Sequence, residues 1–358
     1  MLVGRSLDEF RAQPEGGYVA GRSWLYFGIK LFDEIAFPFA TDERNANVLV
    51  SFSEKDDDSI VSRVILDRIG GADMPSRWWA QGTNSANPPP HSVNLQWIGA
   101  PSITARIQAF RYTVDPVTKG PKHYVGYDSA DLTLVDGPPT TFAVSRKPPP
   151  FGESTISLTL NRSPGQDSVT AYLGLQAGTP TWVQPFASIV TKASEVSFVV
   201  PDLPGAPFSA MAEATNLSSV TAANVPGLAA GAKGVILDIP PSLELIGLKD
   251  GDHFGVGSTF QWSSQGTDAS FVQLTTSPGD NNGSVMSYFV ATQGDSMVVP
   301  DLGKLGIDLP PGVDYSTVVQ RYSTNPTVDD LAADPMAHQQ LSAPSRYATS
   351  AMLGLTSQ

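Results

Sequence analysis

Carboxylate side chains gather at three places in the chain, and calcium binding is the chemistry that such groups favour. Calcium takes several oxygen ligands from one loop, usually with a glycine at the turn, and Gly251 separates two of these aspartates. No group reaches the full spacing of a calcium loop, so the alternatives are solvated turns for the first two and helix first-turn charges for the third. The residues are Asp56, Asp57, Asp58, Asp250, Asp252, Asp329 and Asp330. The sequence leaves the metal undetermined, with calcium as the ion to expect at the first or second group.

Histidine and cysteine chemistry finds little support in this sequence. The four histidines stand far apart, without the close spacing of a metal motif, and no cysteine is present to supply a thiolate. The chain also lacks a G-x-S-x-G elbow, a P-loop and a dinucleotide-binding fingerprint. We therefore predict that the protein is not an enzyme and holds no cofactor, calcium excepted. A hydrolase with a dispersed Ser-His-Asp triad is the alternative, because triad members need not be neighbours in sequence.

A pair of tryptophans offers a different chemistry, the stacking of sugar rings. Trp78 and Trp79 follow Arg77 and precede the polar stretch 81–84. The flat apolar face of an exposed tryptophan can carry a sugar ring. Adjacent residues of a strand point to opposite sides, however, so core or interdomain packing of at least one of them is the alternative. The pair is a candidate glycan-binding site.

The charge balance excludes some partners. The net charge is −13, from 35 acidic and 22 basic residues, and no basic block stands out. Binding of nucleic acid relies on such a basic footprint, so we expect no nucleic-acid partner. No apolar run approaches the ~20 residues of a membrane-spanning helix, and the stretch from Met1 lacks the apolar core of a signal peptide. We expect an extracytoplasmic protein, secreted or at the cell surface, whose signal peptide is not present in this chain.

An internal repeat indicates how the chain is organised. Val199–Leu203 reads VVPDL and recurs as Val298–Leu302, 99 residues later. Similar residues follow each copy, with Phe208 in the first and Tyr315 in the second. A period near 100 residues is typical of one immunoglobulin-sized sandwich per repeat.

The last repeat resembles a fibronectin type III domain over about residues 240–358. Phe260 and Trp262 alternate on one strand and look like the early strand that carries the core tryptophan of that family. The stretch Leu309–Ser316 resembles the corner before strand F, in which Tyr315 would be the tyrosine-corner residue. The resemblance implies a β-sandwich and is silent on function, because this fold hosts many roles.

One segment departs from the family pattern. The connection between strands F and G, residues 323–346, is much longer than the usual hairpin. Long end loops of a sandwich are where recognition is usually carried. Its candidate binding residues are Asp329, Asp330, His338 and Arg346.

Turn residues between many short apolar runs predict an all-β fold of two to three tandem β-sandwich domains, immunoglobulin/fibronectin-III-like or transthyretin-like. We expect an N-terminal β-rich domain at 1–136, a middle sandwich at 137–239 and the fibronectin-like sandwich at 240–358. Proline pairs in the linkers Val135–Pro139 and Ile239–Pro241 would stiffen the joints.

These observations favour a non-catalytic extracytoplasmic binding or structural protein that presents loops or sheet edges to a protein, a glycan or copies of itself, such as a surface or filament subunit. A carbohydrate-binding or carbohydrate-active protein that uses Trp78 and Trp79 is one alternative. A virion structural protein is another, because Met1 can be a genuine start.

Overall fold

The fold is that of a computed structural model, in which every regular element of the described residues is a β-strand. The prediction of an all-β protein is confirmed. The residues described are 2–12, 18–21, 43–52, 60–79, 83–84, 91–144, 147–177, 182–216, 219–263, 269–276, 285–299, 301, 311–323 and 346–358. Residues 25–32 read LYFGIKLF, a composition that predicts a further strand, and they lie outside the described residues.

The strands fall into four sheets, and their bounds are as follows. In chain order they are β1 (Leu2–Ala12), β2 (Tyr18–Gly21), β3 (Glu43–Phe52), β4 (Ile60–Trp79), β5 (Thr83–Asn84), β6 (His91–Val114), β7 (Pro121–Val135), β8 (Thr140–Val144), β9 (Glu153–Asn161), β10 (Val169–Ala177), β11 (Trp182–Thr191), β12 (Glu195–Pro201), β13 (Phe208–Asn216), β14 (Ser219–Leu228), β15 (Val235–Asp238), β16 (Leu245–Ile246), β17 (His253–Phe254), β18 (Thr259–Trp262), β19 (Ala269–Thr276), β20 (Val285–Gln293), β21 (Ser296–Val298), β22 (Asp314–Ser323), β23 (Arg346–Thr349) and β24 (Leu353–Ser357).

The first region is built around the long strand β6. Its first half pairs with β3 and its second half with β7, while β4 runs along its other side. Inward residues of these strands, including Val48, Leu95 and Trp97, are fully buried in one core. β8 pairs in parallel with β3, so residues 140–144 complete this sheet although they follow the predicted boundary at 136. The division into three domains stays a prediction.

The turn between β6 and β7 is held by Asp115. Its carboxylate accepts hydrogen bonds from the backbone N–H of Thr118 at 2.8 Å and of Val117 at 2.9 Å. These bonds favour the ionised carboxylate and hold the pKa of Asp115 below its ordinary value. The turn then closes through Lys119, whose φ of 61° is in the left-handed region.

Acidification is expected to weaken this turn as the carboxylate of Asp115 takes up a proton. Because the folded pKa is lowered, the stabilisation is present above the unfolded pKa of about 3.9 and is lost as the pH falls through the folded pKa. An NMR titration should give a carboxyl midpoint below about 3.9, tracked by the Thr118 amide shift. Asp115→Asn retains an acceptor oxygen but no titration, so the Thr118 amide of that variant should not respond to acid. A midpoint at the ordinary value would contradict this assignment.

The middle region is a two-layer sandwich. One layer has the strand order β12-β9-β15, and the other contains β11-β10-β13-β14. Inward residues alternate along β9, where Ile156, Leu158 and Leu160 are buried. They pack in one core with Phe198 and Phe208 from the same region.

The last region repeats this arrangement. The small layer is β16-β18-β21 and the larger one contains β20-β19-β22 with β23 and β24. Phe260 and Trp262 are buried between the layers, as the period-two pattern predicts. Tyr315 is also buried, with its ring edge-on to Phe254 at 5.6 Å. The tyrosine-corner hydrogen bond itself stays a prediction.

The repeated sequence occupies equivalent positions in the two sandwiches. Val200 and Val299 are both buried at the end of β12 and β21, the strands that pair with β9 and β18. Phe208 and Tyr315 are both buried where β13 and β22 begin. The strand order β11-β10-β13-β14 corresponds to β20-β19-β22-β23, so the two regions share a topology as well as a motif.

The two sandwiches are fused through one outer strand from the larger layer of each. β14 pairs antiparallel with β23, at Thr221↔Ala348, Ala222↔Tyr347 and Ala223↔Arg346. The backbone N–H of Val220 also donates to Thr349 Oγ1 at 2.8 Å. One sheet therefore crosses both regions, and β1 extends it further by pairing with β20. The joint is a hydrogen-bonded ladder in addition to the predicted proline linker.

An aromatic cluster joins the first region to the middle one. The ring of Phe186 on β11 lies 5.2 Å from Phe110 on β6 and 6.2 Å from Tyr124 on β7, measured between centroids. The Tyr124 hydroxyl donates to the carbonyl of Val199 on β12 at 3.1 Å. Phe151 packs against the same rings. Residues of both regions thus belong to one hydrophobic core.

Candidate functional site

The structure describes only some of the residues that the sequence singles out. Asp329, Asp330 and His338 lie outside the described residues, and so does the run Asp56, Asp57 and Asp58. Their binding roles stay predictions.

Asp250 and Asp252 hold a turn together. Asp250 Oδ1 accepts from the Gly354 N–H at 2.7 Å, and Asp252 Oδ2 accepts from the Lys249 N–H at 2.7 Å. These bonds fit the solvated-turn alternative. Within the part of the chain that the structure describes, no three histidine or acidic side chains gather in a way that could hold a metal ion. Calcium at this turn stays a prediction.

Trp78 and Trp79 lie at the end of β4. In the backbone register Trp78 is paired with Leu95 and Trp79 with Asn94 on β6. Leu95 is part of the first core. The use of Trp78 and Trp79 in glycan binding stays a prediction, and so does core packing of one of them.

Arg346 is a sequence-predicted binding residue that borders a cleft in the structure. The cleft has a volume of about 220 Å³ and lies in the angle between the two fused sandwiches. Its walls come from the linker that follows β15, from β22 and β23, and from the ends of β9 and β18. The lining residues are Ser163, Asp238, Ile239, Pro240, Pro241, Ser242, Leu243, Ser263, Arg321, Arg346, Tyr347 and Ala348.

Two arginines on neighbouring strands share the face that borders the cleft. Arg321 on β22 is directly opposite Ala348 on β23, and Arg346 is two residues before Ala348. Cross-strand partners and i, i+2 neighbours point to the same face, so the arginines are diagonal neighbours, roughly 7 Å apart. Arg321 is 6% exposed, whereas the Arg346 side chain is 51% exposed. Like charges placed in this way repel each other, which makes the face attractive to an anion.

Asp238 is the only carboxylate among the described residues that line the cleft. Its Oδ2 accepts from Arg346 Nη2 at 3.2 Å, and its Oδ1 accepts from Asn161 Nδ2 at 2.7 Å. Both partners of the ion pair are half exposed, so water screens it and its net contribution to stability is small. The charged residues among the described lining are thus Arg321, Arg346 and Asp238.

Serine hydroxyls add further donors at this cleft. Ser242 Oγ accepts from Ser219 Oγ at 2.8 Å, and Ser263 Oγ accepts from the Glu244 N–H at 2.9 Å. Each of these two hydroxyls can still donate its own hydrogen to a ligand. The site is therefore rich in hydrogen-bond donors, and such a site suits an acceptor-rich anionic ligand.

Gln166 fixes the linker that forms one wall. Its Nε2 donates to Thr221 Oγ1 and to the Pro240 carbonyl, both at 2.8 Å. Its Oε1 accepts from the Ser163 N–H at 2.8 Å. One side chain thus ties β14, the linker and the end of β9 together, which makes the wall rigid.

Tyr347 lies between Arg346 and Ala348 on β23, so its side chain is on the opposite face of the strand from the two arginines, in line with Ala222. Burial raises the pKa of Tyr347, and the carboxylate of Glu213 raises it further. Pro240 and Pro241, both half-buried, form an apolar part of the cleft lining.

Arg321 is a cleft residue that the sequence predictions miss, although the strand pattern contains a signal for it. The buried positions of β22 are Tyr315, Thr317, Val319 and Arg321, which alternate strictly. An arginine on the inward face of such an alternation is unusual, because arginine side chains are mostly exposed. The pattern of β22 is therefore enough to mark Arg321 as a special position.

Comparison with known proteins gives no family assignment. No family model matches this chain, and no curated protein matches it. A leucine-rich repeat protein from Bacteroides thetaiotaomicron VPI-5482 is 10% identical over 55% of this chain, with a TM-score of 0.19. This chain spans 26% of that protein's length. A streptococcal ancillary pilin is 9% identical over 88% of this chain and 99% of its own, with a TM-score of 0.20. Superpositions this loose carry no argument about function.

Membrane crossing by a helix finds no support in the structure. Among the residues it describes, no helix has the length and apolar character that a bilayer requires.

Proposed function

We propose that this chain is a non-catalytic structural or binding protein that works outside the cytoplasm as a rigid β-scaffold. The fused sheet is the observation that carries the proposal: β14 and β23 join two sandwiches into one body. The aromatic cluster around Phe186 attaches the first region to the same body. A rigid body of this kind holds its end loops and clefts at fixed separations, which is what a surface or assembly subunit requires.

We further infer that the two fused sandwiches are fibronectin-III-like. The support is their shared strand order together with the repeated sequence and the buried Trp262 and Tyr315. Protein, glycan and self remain the candidate partner classes, and antibody labelling of intact cells would test the location.

Rigidity can be measured directly because the chain has no cysteine. Spin labels at Val117→Cys and Met352→Cys, whose native residues are 86% and 63% exposed, report on the first and last regions. We expect a single narrow distribution of the distance between the two labels by pulsed electron paramagnetic resonance. A label pair at Val117→Cys and Val190→Cys is the control for the first joint alone. A broad distribution for the long pair would rule out the scaffold function.

A further inference from the structure

We propose that copies of this chain exchange their first strand, so that β1 of one copy pairs with β20 of another. The partner for this sheet edge is thus a second copy of the same chain. Strand exchange goes beyond the scaffold function and does not depend on it, because it concerns one strand and one edge and not the joints between the three regions.

β1 covers one side of β20, although the two strands are far apart in the sequence. Their ladder is antiparallel and runs from Leu2↔Ala291 to Asp8↔Val285. Without β1, the large sheet would end at β20, with a row of backbone N–H and C=O groups unpaired. An edge of this kind is a template on which a strand of another chain can pair.

The repeat supplies a comparison for this edge. β11 is the strand of the middle sandwich that corresponds to β20, and no described strand pairs with its outer side. β11 contains Pro185, beside a shift in its register with β10, and both features oppose further pairing. β20 reads VMSYFVATQ, with no proline and no charged residue, and its register with β19 has no shift. Of the two corresponding edges, β20 is therefore the one suited to accept a strand.

β1 is itself poorly suited to accept a further strand. The part of β1 that pairs with β20 contains Gly4, Arg5 and Asp8. Charged residues on an edge strand oppose further pairing, and glycine has low β-propensity. Each β20 should therefore take one β1, so exchange links copies without making a sheet that grows strand by strand.

Pairing within one chain and pairing between two chains form the same ladder, so exchange of β1 is a low-cost route to association. Residues 22–42 join β2 to β3, and a segment of that length can span up to about 70 Å when extended. The protein concentration competes with the effective concentration of the tethered strand, which is roughly millimolar for a short flexible tether and lower for a longer one. Strands so distant in sequence also pair late in folding, which leaves β20 open to another chain. We therefore expect exchange when chains refold together at high concentration.

Two serines that face each other in the ladder allow a direct test. Ser6 is paired with Ser287, and opposite Cα atoms of antiparallel strands are about 4.5–5.5 Å apart, which a disulfide can span. Chains with Ser6→Cys and isotope-labelled chains with Ser287→Cys are unfolded together, refolded and oxidised. The native chain has no cysteine to interfere. We expect disulfide-linked dimers in which mass spectrometry finds position 6 of one chain joined to position 287 of the other.

Ser188→Cys is the matched control for chance collision. Ser188 is an exposed serine on β11, the strand that corresponds to β20. Mixed with Ser6→Cys in the same way, it should give roughly fivefold less linked product or lower, because Pro185 opposes pairing at that edge. Equal yields of the 6–188 and 6–287 links would overturn the proposal.

A double variant, with Ser6→Cys and Ser287→Cys in one chain, separates pairing within a chain from pairing between chains. The 6–287 link should lie within single chains after refolding in dilute solution and should increasingly join two chains as the concentration rises. Links confined to single chains at every concentration would overturn the exchange. Absence of any 6–287 link would overturn it too, because β1 would then not pair with β20.

Discussion

Replacing Phe186 with alanine is expected to lower the free energy of unfolding by about 3–5 kcal/mol, the usual effect of deleting a buried phenylalanine side chain. Phe186 is fully buried, and its ring lies 5.2 Å from Phe110, 6.2 Å from Tyr124 and 5.9 Å from Phe208. Two of these rings belong to the first region and one to the middle region. The variant should therefore also weaken the coupling between the regions, because the cavity would lie where both cores meet.

Calorimetry and hydrogen exchange can separate these two effects. The native chain should lose the amide protection of β6 and of β10 together, whereas in Phe186→Ala protection of β6 should be lost at lower denaturant than that of β10. Phe260→Ala is the matched control, since Phe260 is equally buried but packs on Phe254 in the last region. The control should be destabilised to a similar extent while β6 and β10 stay coupled. Uncoupling of the same kind in both variants would contradict the role assigned to Phe186.

A proline at position 348 is expected to separate the two fused sandwiches. Ala348 is 4% exposed and lies in a central strand, between Thr221 on β14 and Arg321 on β22. Proline removes a ladder hydrogen bond and is found almost only at sheet edges and bulges. A buried backbone group left without its partner costs about 1–3 kcal/mol, to which distortion of the strand adds.

Limited proteolysis and thermal unfolding would detect that separation. We expect Ala348→Pro to unfold in a transition below that of the native chain and to be cut in the linker 239–242 at lower protease concentration. Ala348→Gly keeps the N–H and the ladder, so it should cost only about 1 kcal/mol and leave the linker protected. Equal protease resistance in the proline and glycine variants would show that the ladder does not hold the joint.

The sequence predicts well those strands whose apolar residues alternate. It predicts strands at residues 195–200 and 313–322, each within one residue of the observed bounds of β12 and β22. The prediction succeeds because one face of each strand is buried and the other is exposed or half exposed. It does not predict β11 or β14. β11 carries Pro185, which usually argues against a strand interior. β14 contains the run Ala222-Ala223-Asn224 and the pair Pro226-Gly227, all residue types with low β-propensity. Their place in the sheet comes from tertiary packing against neighbouring strands.

For the cleft as well, the sequence predicts positions that depend on local pattern and does not predict contacts between residues far apart in the chain. Arg346 is a sequence candidate because it ends the long insertion after β22, but its ion pair with Asp238 spans 108 residues and cannot be derived from local pattern. The sequence predicts Asp238 only as the end of a strand. The inward position of Arg321 follows from the alternation of β22 alone. Its cross-strand neighbour Ala348 is set by the pairing of β22 with β23, which local pattern does not give.

Because β14 pairs with β23, the linker at 239–242 is not the only connection between the two sandwiches. The two sandwiches stay side by side through β14 and β23, through Val220 and Thr349, and through the bond between Ser219 and Ser242. Covalent continuity at 239–242 is therefore not what keeps them associated. Two fragments made separately, divided at the linker, could assemble into a noncovalent complex with the same sheet, much as two protein chains associate by adding strand to strand. The two repeated regions therefore associate with each other as two separate subunits would, through the pairing of β14 with β23.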